Sequence, residues 1–236
     1  RCADGRWLVL EMTFHRAPDA TTQRSQMVEH DLAARGITDP RVLAVMGELP
    51  RERFVAADLA HLAYDDCPLP IGDDQTISQP YIVALMTEAL ELGPGDRVLE
   101  IGTGSGYAAA VLGRLAGTVW TVERHRSLAE QAAAHLHALD FANVHVVVGD
   151  GTLGWPDEAP YDAIVVTAGG PSVPKALLYQ LGEGGRLVMP VGEWGGQELT
   201  RVRRSGADLT YEDLGPVRFV PLVGAQGWGD AEAAAT

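Results

Sequence analysis

From residue 96 onward the chain alternates two kinds of hydrophobic run. Five are of strand length and rich in Val, Ile and Leu: RVLEIG (97–102), TVWTVE (118–123), VHVVVGD (144–150), YDAIVVTA (161–168) and GRLVMPVG (185–192). Helical spacing fills 105–116, 127–139 and 174–181 between them, and a loop follows the third run. Strands apolar on both faces and separated by helices predict a mostly parallel sheet covered on both sides. Two last runs, ELTRVRRSG (198–206) and LGPVRFVPLVG (214–224), have no helix between them, which predicts an antiparallel C-terminal edge.

The first third of the chain has another pattern. Met27, Val28 and Leu32 recur on a helical period, Gly36 stops that helix, and Asp39-Pro40 opens a second short one. Pro68, Pro70 and Gly72 predict a loop-rich connection over 61–79, followed by a helix over 80–92 closed by GPGD. The expectation is a single α/β domain over 21–228. Residues 21–79 form its N-terminal helical and loop cap, and 80–228 form the cofactor-binding α/β core. Residues 1–20 are expected to be a flexible or expression-derived extension, and 229–236 a frayed tail.

Composition narrows the function. The 236 residues carry a formal net charge of −14, and the only basic cluster is Arg201, Arg203 and Arg204. A phosphate backbone is bound by clustered cations, so nucleic acid is excluded as the expected partner. No apolar stretch reaches the ~18 residues of a spanning helix, and the opening RCADGRWLVLEM lacks a secretory pattern. A cytoplasmic, monomeric protein is expected. Cys2 and Cys67 make no CxxC pair, and the seven histidines show no ligand spacing, so no metal site is expected.

The stretch VLEIGTGSGYAAAVL holds the most chemistry. A strand ends at Ile101, Gly102, Gly104 and Gly106 alternate, and a helix begins. Alternating glycines let the backbone approach a ligand closely beneath a helix N-terminus. Tyr107 breaks the dinucleotide fingerprint, which disfavours a nicotinamide cofactor. Three acids stand at the carboxyl ends of successive strands: Glu100, Glu123 and Asp150. Glu100 would repel a phosphate and suit a cation, Glu123 can hold two ribose hydroxyls, and Asp150 can accept from an adenine amino group. The ligand that fits is S-adenosyl-L-methionine, a nucleoside with a sulfonium and an amino acid but no phosphate.

The segments PRERFV (50–55), YDDCPLPIGDDQTISQPYIVALM (64–86), VLEIGTGSGY (98–107) and TVER (121–124) carry a resemblance to a known family. So do GDGTLGWPDEAPYDAIVVTA (149–168), GGRLVMPVG (184–192) and FVPLVG (219–224). Over 27–228 the chain resembles protein-L-isoaspartate O-methyltransferases, which belong to the Rossmann-like class I methyltransferases. The glycine loop is shared by the whole class, whereas QTIS-P together with GDG–GWP is specific to the family. The resemblance implies methyl transfer to isoaspartyl residues of damaged proteins and peptides, leading through succinimide to repair. It makes Ser78 the active-site serine, with Thr76, Ile77 and Gln79 beside the cofactor. Gly102, Gly104, Ser105 and Gly106 become the methionine-side loop, with Glu100 at its base. Glu123 becomes the ribose ligand, with Arg124 beside it, and Asp150 and Gly151 the adenine contacts. Val223 and Gln226 fall on the substrate side. Two departures stand out: Asp74 occupies a position where glycine is common in the family, and AGGP (168–171) replaces a run such as AAAP. The extra glycines are expected to loosen that loop.

Locally, Ser78 has a second reading as the N-cap of the helix that starts near Pro80. No histidine and no G-x-S-x-G elbow accompanies it, so a hydrolase triad is unsupported. Two other functions remain open at the level of sequence: a family member that esterifies an aspartate of a biosynthetic peptide to form aspartimide, and an inactive cofactor-binding module.

Overall fold

The computed structural model describes residues 19–193 and 195–229. Of the expected flexible start (1–20) and frayed tail (229–236), residues 1–18 and 230–236 lie outside the described residues. A seven-stranded sheet forms the centre. Its strands are β3 (Arg97–Ile101), β4 (Thr118–Glu123), β5 (Val144–Val148), β6 (Tyr161–Val166), β7 (Leu181–Glu193), β8 (Gly196–Ser205) and β9 (Asp208–Val217), in the order β5-β4-β3-β6-β7-β8-β9. The first five are parallel and the last two antiparallel. The chain winds outward from β3 to β5 and then returns to the other side of β3 with β6. That reversal creates the crevice at the carboxyl ends of β3, β4 and β6 where open α/β sheets bind ligands.

Both faces of the sheet are covered, as the continuous apolar runs require. Val98, Val119, Ala163, Val165 and Val188 point into one hydrophobic cluster with residues of α2 (Pro40–Glu48), α3 (Pro80–Ala89) and α4 (Tyr107–Leu115). Their strand neighbours Leu99, Ile101, Val122, Ile164, Val166 and Met189 point into a second cluster, with Leu177 of α6 (Lys175–Gln180). Helix α5 (Arg126–Ala138) follows β4. Among the described residues no helix is long and apolar enough to cross a membrane.

The N-terminal cap follows its sequence signals. The Asp19 side chain accepts from Thr22 N at the start of α1 (Ala20–Gln26), which continues in π and 3-10 form to Arg35. Gly36, at φ +101°, takes the left-handed conformation that ends this helix. Asp39 caps α2 with Pro40 in its first turn.

Two segments differ from expectation. The connection 61–79 contains an antiparallel hairpin, β1 (Leu69–Gly72) with β2 (Gln75–Ile77), pairing Leu69 with Ile77 and Pro70 with Thr76. Strands of three or four residues are too short to display a period of two. Asp73 and Asp74 form the tip at φ +49° and +56°, both left-handed as a tight hairpin turn demands. Such a conformation favours glycine, the residue that the resemblance leads one to expect at position 74. The second difference lies at the end of the chain. The final strand is Asp208–Val217, upstream of the apolar FVPLVG, because an exposed edge strand tolerates polar residues. From Arg218 the chain leaves the sheet and crosses the strand ends, where Gly169 N donates to Val220 O (2.8 Å) and Leu222 N donates to Gly169 O (2.8 Å).

These bonds correct the expectation that Gly169-Gly170 loosen their loop. Gly170 N donates to Pro190 O (3.1 Å), and Gly192 N donates to Gly170 O (3.0 Å). The two glycines permit close approach and are pinned from both sides. A Cβ on Gly169 would lie 2.3 Å from Gln197 Nε2. The buried Gln197 amide in turn accepts from Phe219 N (2.8 Å) and donates to Phe219 O (3.4 Å). Gly169→Ala therefore forces Gln197 to shift and should destabilise the fold by about 1–3 kcal/mol, read from the urea midpoint. An unchanged midpoint would show that Gln197 relaxes freely.

Candidate active site

A cleft of about 940 Å³ opens at the carboxyl ends of β3, β4 and β6. Its floor is the glycine loop. Gly102 leaves β3 at φ +95°, with its N–H on Val122 O (2.9 Å). A Cβ there would meet Thr167 Oγ1 at 2.4 Å, so only glycine lets the chain pass between β4 and β6. Thr167 donates its hydroxyl to Gly102 O (2.7 Å), holding the loop from the other side. Thr167 also lines the cleft. The sequence offered no signal for it beyond its place just after a strand.

Glu123 fixes the loop at a second point. Its Oε2 accepts from Gly104 N (2.9 Å) and its Oε1 from His125 N (3.0 Å). Each oxygen keeps acceptor capacity toward the cleft. The His135 ring contacts Ser105 O (3.1 Å), and Gly106 begins α4 at φ +89°.

Most of the residues singled out from sequence converge here. Thr76, Ile77, Ser78 and Gln79 form one wall. Gly102, Gly104 and Ser105 face them, with Glu123, Arg124 and Gly151 beyond and Val223 on the C-terminal side. Four do not line the cleft. Gly106 lies behind the loop. Glu100 is fully buried beneath it. Asp150 is turned into the C-terminal segment, where Oδ1 accepts from Thr152 N (2.9 Å) and Thr152 Oγ1 (2.6 Å), and Oδ2 from Ala225 N (2.8 Å). Gln226 points away, its Oε1 accepting from Ala176 N (3.1 Å). Partial burial pushes the Asp150 carboxyl up, but the Ala225 and Thr152 hydrogen bonds and the Arg124 charge outweigh it and hold it below the usual range.

The cap reading of Ser78 does not hold. Gln79 takes the N-cap position of α3 without a side-chain bond. The orphan Tyr81 N–H is satisfied instead by Asp66 Oδ1 at 3.0 Å. Ser78 makes no hydrogen bond to another described residue, and its hydroxyl stays available to the cleft. Among the described residues, no group of three or more His, Cys, Asp or Glu could hold a metal ion.

The sequence profile of the family described as protein-L-isoaspartate(D-aspartate) O-methyltransferase matches residues 22–227. The chain belongs to that family. It is 59% identical over 219 residues to protein-L-isoaspartate O-methyltransferase 1 of Geotalea uraniireducens, covering 92% of this chain and 100% of the relative. It is 62% identical over 208 residues to protein-L-isoaspartate O-methyltransferase 2 of Pelobacter propionicus, covering 87% and 92%. A solved protein-L-isoaspartate O-methyltransferase superposes with TM-score 0.78 at 34% identity, over 86% of this chain and 67% of that one. A crystal structure from Plasmodium falciparum, a putative protein-L-isoaspartate O-methyltransferase in complex with S-adenosyl-L-homocysteine, gives 0.72 at 25% identity, over 83% and 96%. The Rossmann-like family fold, with its antiparallel C-terminal strands, is thus shared.

Within this family fold Glu100 is an unusual group. Thr121 donates to its Oε2 (2.5 Å), which leaves the Thr103 hydroxyl to donate to Thr121 (2.6 Å). Oε1 is buried without a partner. Burial pushes the carboxyl up from 4.5 to about 8; the Thr121 bond opposes this and the Glu123 charge adds to it. Glu100 is therefore mainly protonated at neutral pH, not the strand-end anion expected from sequence. Its folded pKa lies above its unfolded one, so the folded chain holds an extra proton between about pH 4.5 and 8. Its contribution to stability is full below that window and is lost as pH rises through it. Glu100→Gln should flatten this slope by an amount on the order of a few kcal/mol, seen in urea midpoints across the window. Identical pH profiles for both proteins would contradict the assignment.

Proposed function

We propose that this chain transfers a methyl group from S-adenosyl-L-methionine to the free α-carboxylate of L-isoaspartyl residues in damaged proteins and peptides. The observation that carries the reading is the unclaimed Ser78 hydroxyl, set across one cleft from the glycine loop in a chain of this family. The acceptor carboxylate is ionised at neutral pH, so no strong base is required. The requirement is alignment at about 3–3.5 Å. Ser78 donates a hydrogen bond that orients the carboxylate without neutralising it, as an arginine would.

The residues fit the cofactor. Glu123 lines the cleft, and each of its oxygens accepts a single backbone N–H, which leaves both free to accept from a pair of ribose hydroxyls. Gly102, Gly104 and Ser105 would hold the methionine part, with Glu100 and Gly106 behind them. Glu123 would hold the ribose hydroxyls with Arg124 alongside, and Gly151 would line the adenine end, with Asp150 behind it bracing the C-terminal segment. Thr76, Ile77 and Gln79 would close over it. When bound, S-adenosyl-L-methionine supplies an electrophilic methyl on a sulfonium.

On the substrate side, Val223 and the segment that carries Gln226 would wall an open groove for extended peptides. The methyl ester, unlike the carboxylate, is attacked by the following backbone nitrogen. Methanol leaves, and the succinimide hydrolyses in part to normal aspartate. We place this repair activity in the cytoplasm, in a monomer over 21–228 that binds no nucleic acid or membrane.

With labelled cofactor and matched isoaspartyl and aspartyl peptides, only the isoaspartyl peptide should take label. Equal labelling, or none, sinks the reading. Ser78→Ala should lower kcat by roughly 10- to 100-fold with little change in cofactor affinity, measured by calorimetry. Full activity in that variant would remove Ser78 from the mechanism.

A further inference from the structure

Ser78 sits in a segment whose restraint comes from a distant residue. On its N-terminal side Ile77 is buried as the last residue of β2. On its C-terminal side, Gln79 precedes Pro80, which confines Gln79 to extended backbone, observed at φ −50° and ψ 136°. Asp66 grips both neighbours of that proline. Its Oδ1 accepts from Tyr81 N (3.0 Å) and its Oδ2 accepts from Gln79 Nε2 (2.5 Å). Arg35 completes the set: its Nη1 bonds Asp66 Oδ2, and its guanidinium carbon lies 3.7 Å from the centroid of the Tyr81 ring. The Asp66 side chain is only 15% exposed, whereas that of Arg35 is 43% exposed.

We infer that Asp66, held by Arg35, is the positioning residue for Ser78, fixing the catalytic segment by clamping Gln79 and Tyr81. The inference rests on the role proposed above for Ser78. Capping alone would need only the bond to Tyr81 N–H. The second oxygen instead takes a side chain that lines the cleft, and it does so beside the Arg35 guanidinium. A charge-assisted bond to Gln79 is shorter and stronger than a neutral one. The clamp also gives the N-terminal cap a function. Arg35 ends the first helical segment, just before Gly36, so that segment is tied directly to the wall that carries Ser78. Asp66 touches no reacting atom in this scheme and acts through Ser78.

The test is a double-mutant cycle on the full chain, with an isoaspartyl peptide and saturating cofactor. Asp66→Ala should lower kcat at least tenfold, while affinity for S-adenosyl-L-homocysteine changes less than threefold. Asp66→Asn, which keeps an acceptor for Tyr81 N–H and loses the ion pair, should fall between wild type and Asp66→Ala. In a Ser78→Ala background, Asp66→Ala should cause less than a twofold further loss. Equal losses in both backgrounds, or none in either, overturn the inference. Arg35 is half-exposed, so Arg35→Ala serves if Asp66→Ala does not fold. It should lower kcat about threefold with Ser78 present and leave the Ser78→Ala protein unchanged, and equal effects overturn the inference. Hydrogen exchange gives a readout independent of turnover. Asp66→Ala, or Arg35→Ala in its place, should speed exchange across 77–81 at least tenfold and leave β3 unchanged; unaltered exchange overturns the clamp. Failure of wild type to label the isoaspartyl peptide would instead refute the proposed activity.

Discussion

The site depends on one crowded peptide, Gly102. Its N–H is bonded to β4 and its carbonyl to Thr167 after β6, while its missing Cβ leaves room for the Thr167 hydroxyl. The parallel sheet imposes this crowding, because β3 lies between the two strands from which the chain departs in opposite directions. The loop that follows inherits its path. Gly104 is caught by Glu123, and α4 starts with its N-terminus over the crevice. Binding geometry is thus set by backbone already held on three sides, and little ordering remains for a ligand to impose.

The second constraint is the return of the C-terminal segment. After β9 the chain crosses the strand ends along Gly169, tied by Phe219 to Gln197 and by Ala225 to Asp150. Two buried or half-buried polar side chains thereby join sheet and segment. The cleft acquires its far wall from the last described residues of a chain whose floor was built more than a hundred residues earlier.

The sheet was legible because its strands are buried on both faces and declare themselves as Val, Ile and Leu runs. The start of β7 was not, since GEGG at 182–185 resembles a turn although Leu181 pairs with Tyr161. The hairpin β1–β2 was hidden by its length. In the site, the glycine loop and QTIS were visible as contiguous motifs, whereas Asp66 was invisible. Its partners lie 13 and 15 residues away, and a carboxylate beside a second aspartate carries no local sign of either bond. Gln226 shows the reverse: the resemblance put it on the substrate side, whereas its amide is taken by the start of α6. Contacts between distant segments decide such cases, and periodicity does not encode them.

The bonds of Asp150 have a consequence for the protein as a potential victim of the damage it repairs. Among aspartyl linkages, Asp-Gly is the least shielded from succinimide formation, because glycine leaves its own N–H open to attack the preceding side-chain carboxyl. Asp150-Gly151 stands at the heart of this fold. Closure of the five-membered ring requires the Asp150 carboxyl to swing onto the Gly151 nitrogen, and three donors from Thr152 and Ala225 hold it elsewhere. Those donors also keep the carboxyl ionised, the form that loses oxygen least readily. The same three hydrogen bonds that fasten the end of the chain make this linkage resistant to ageing.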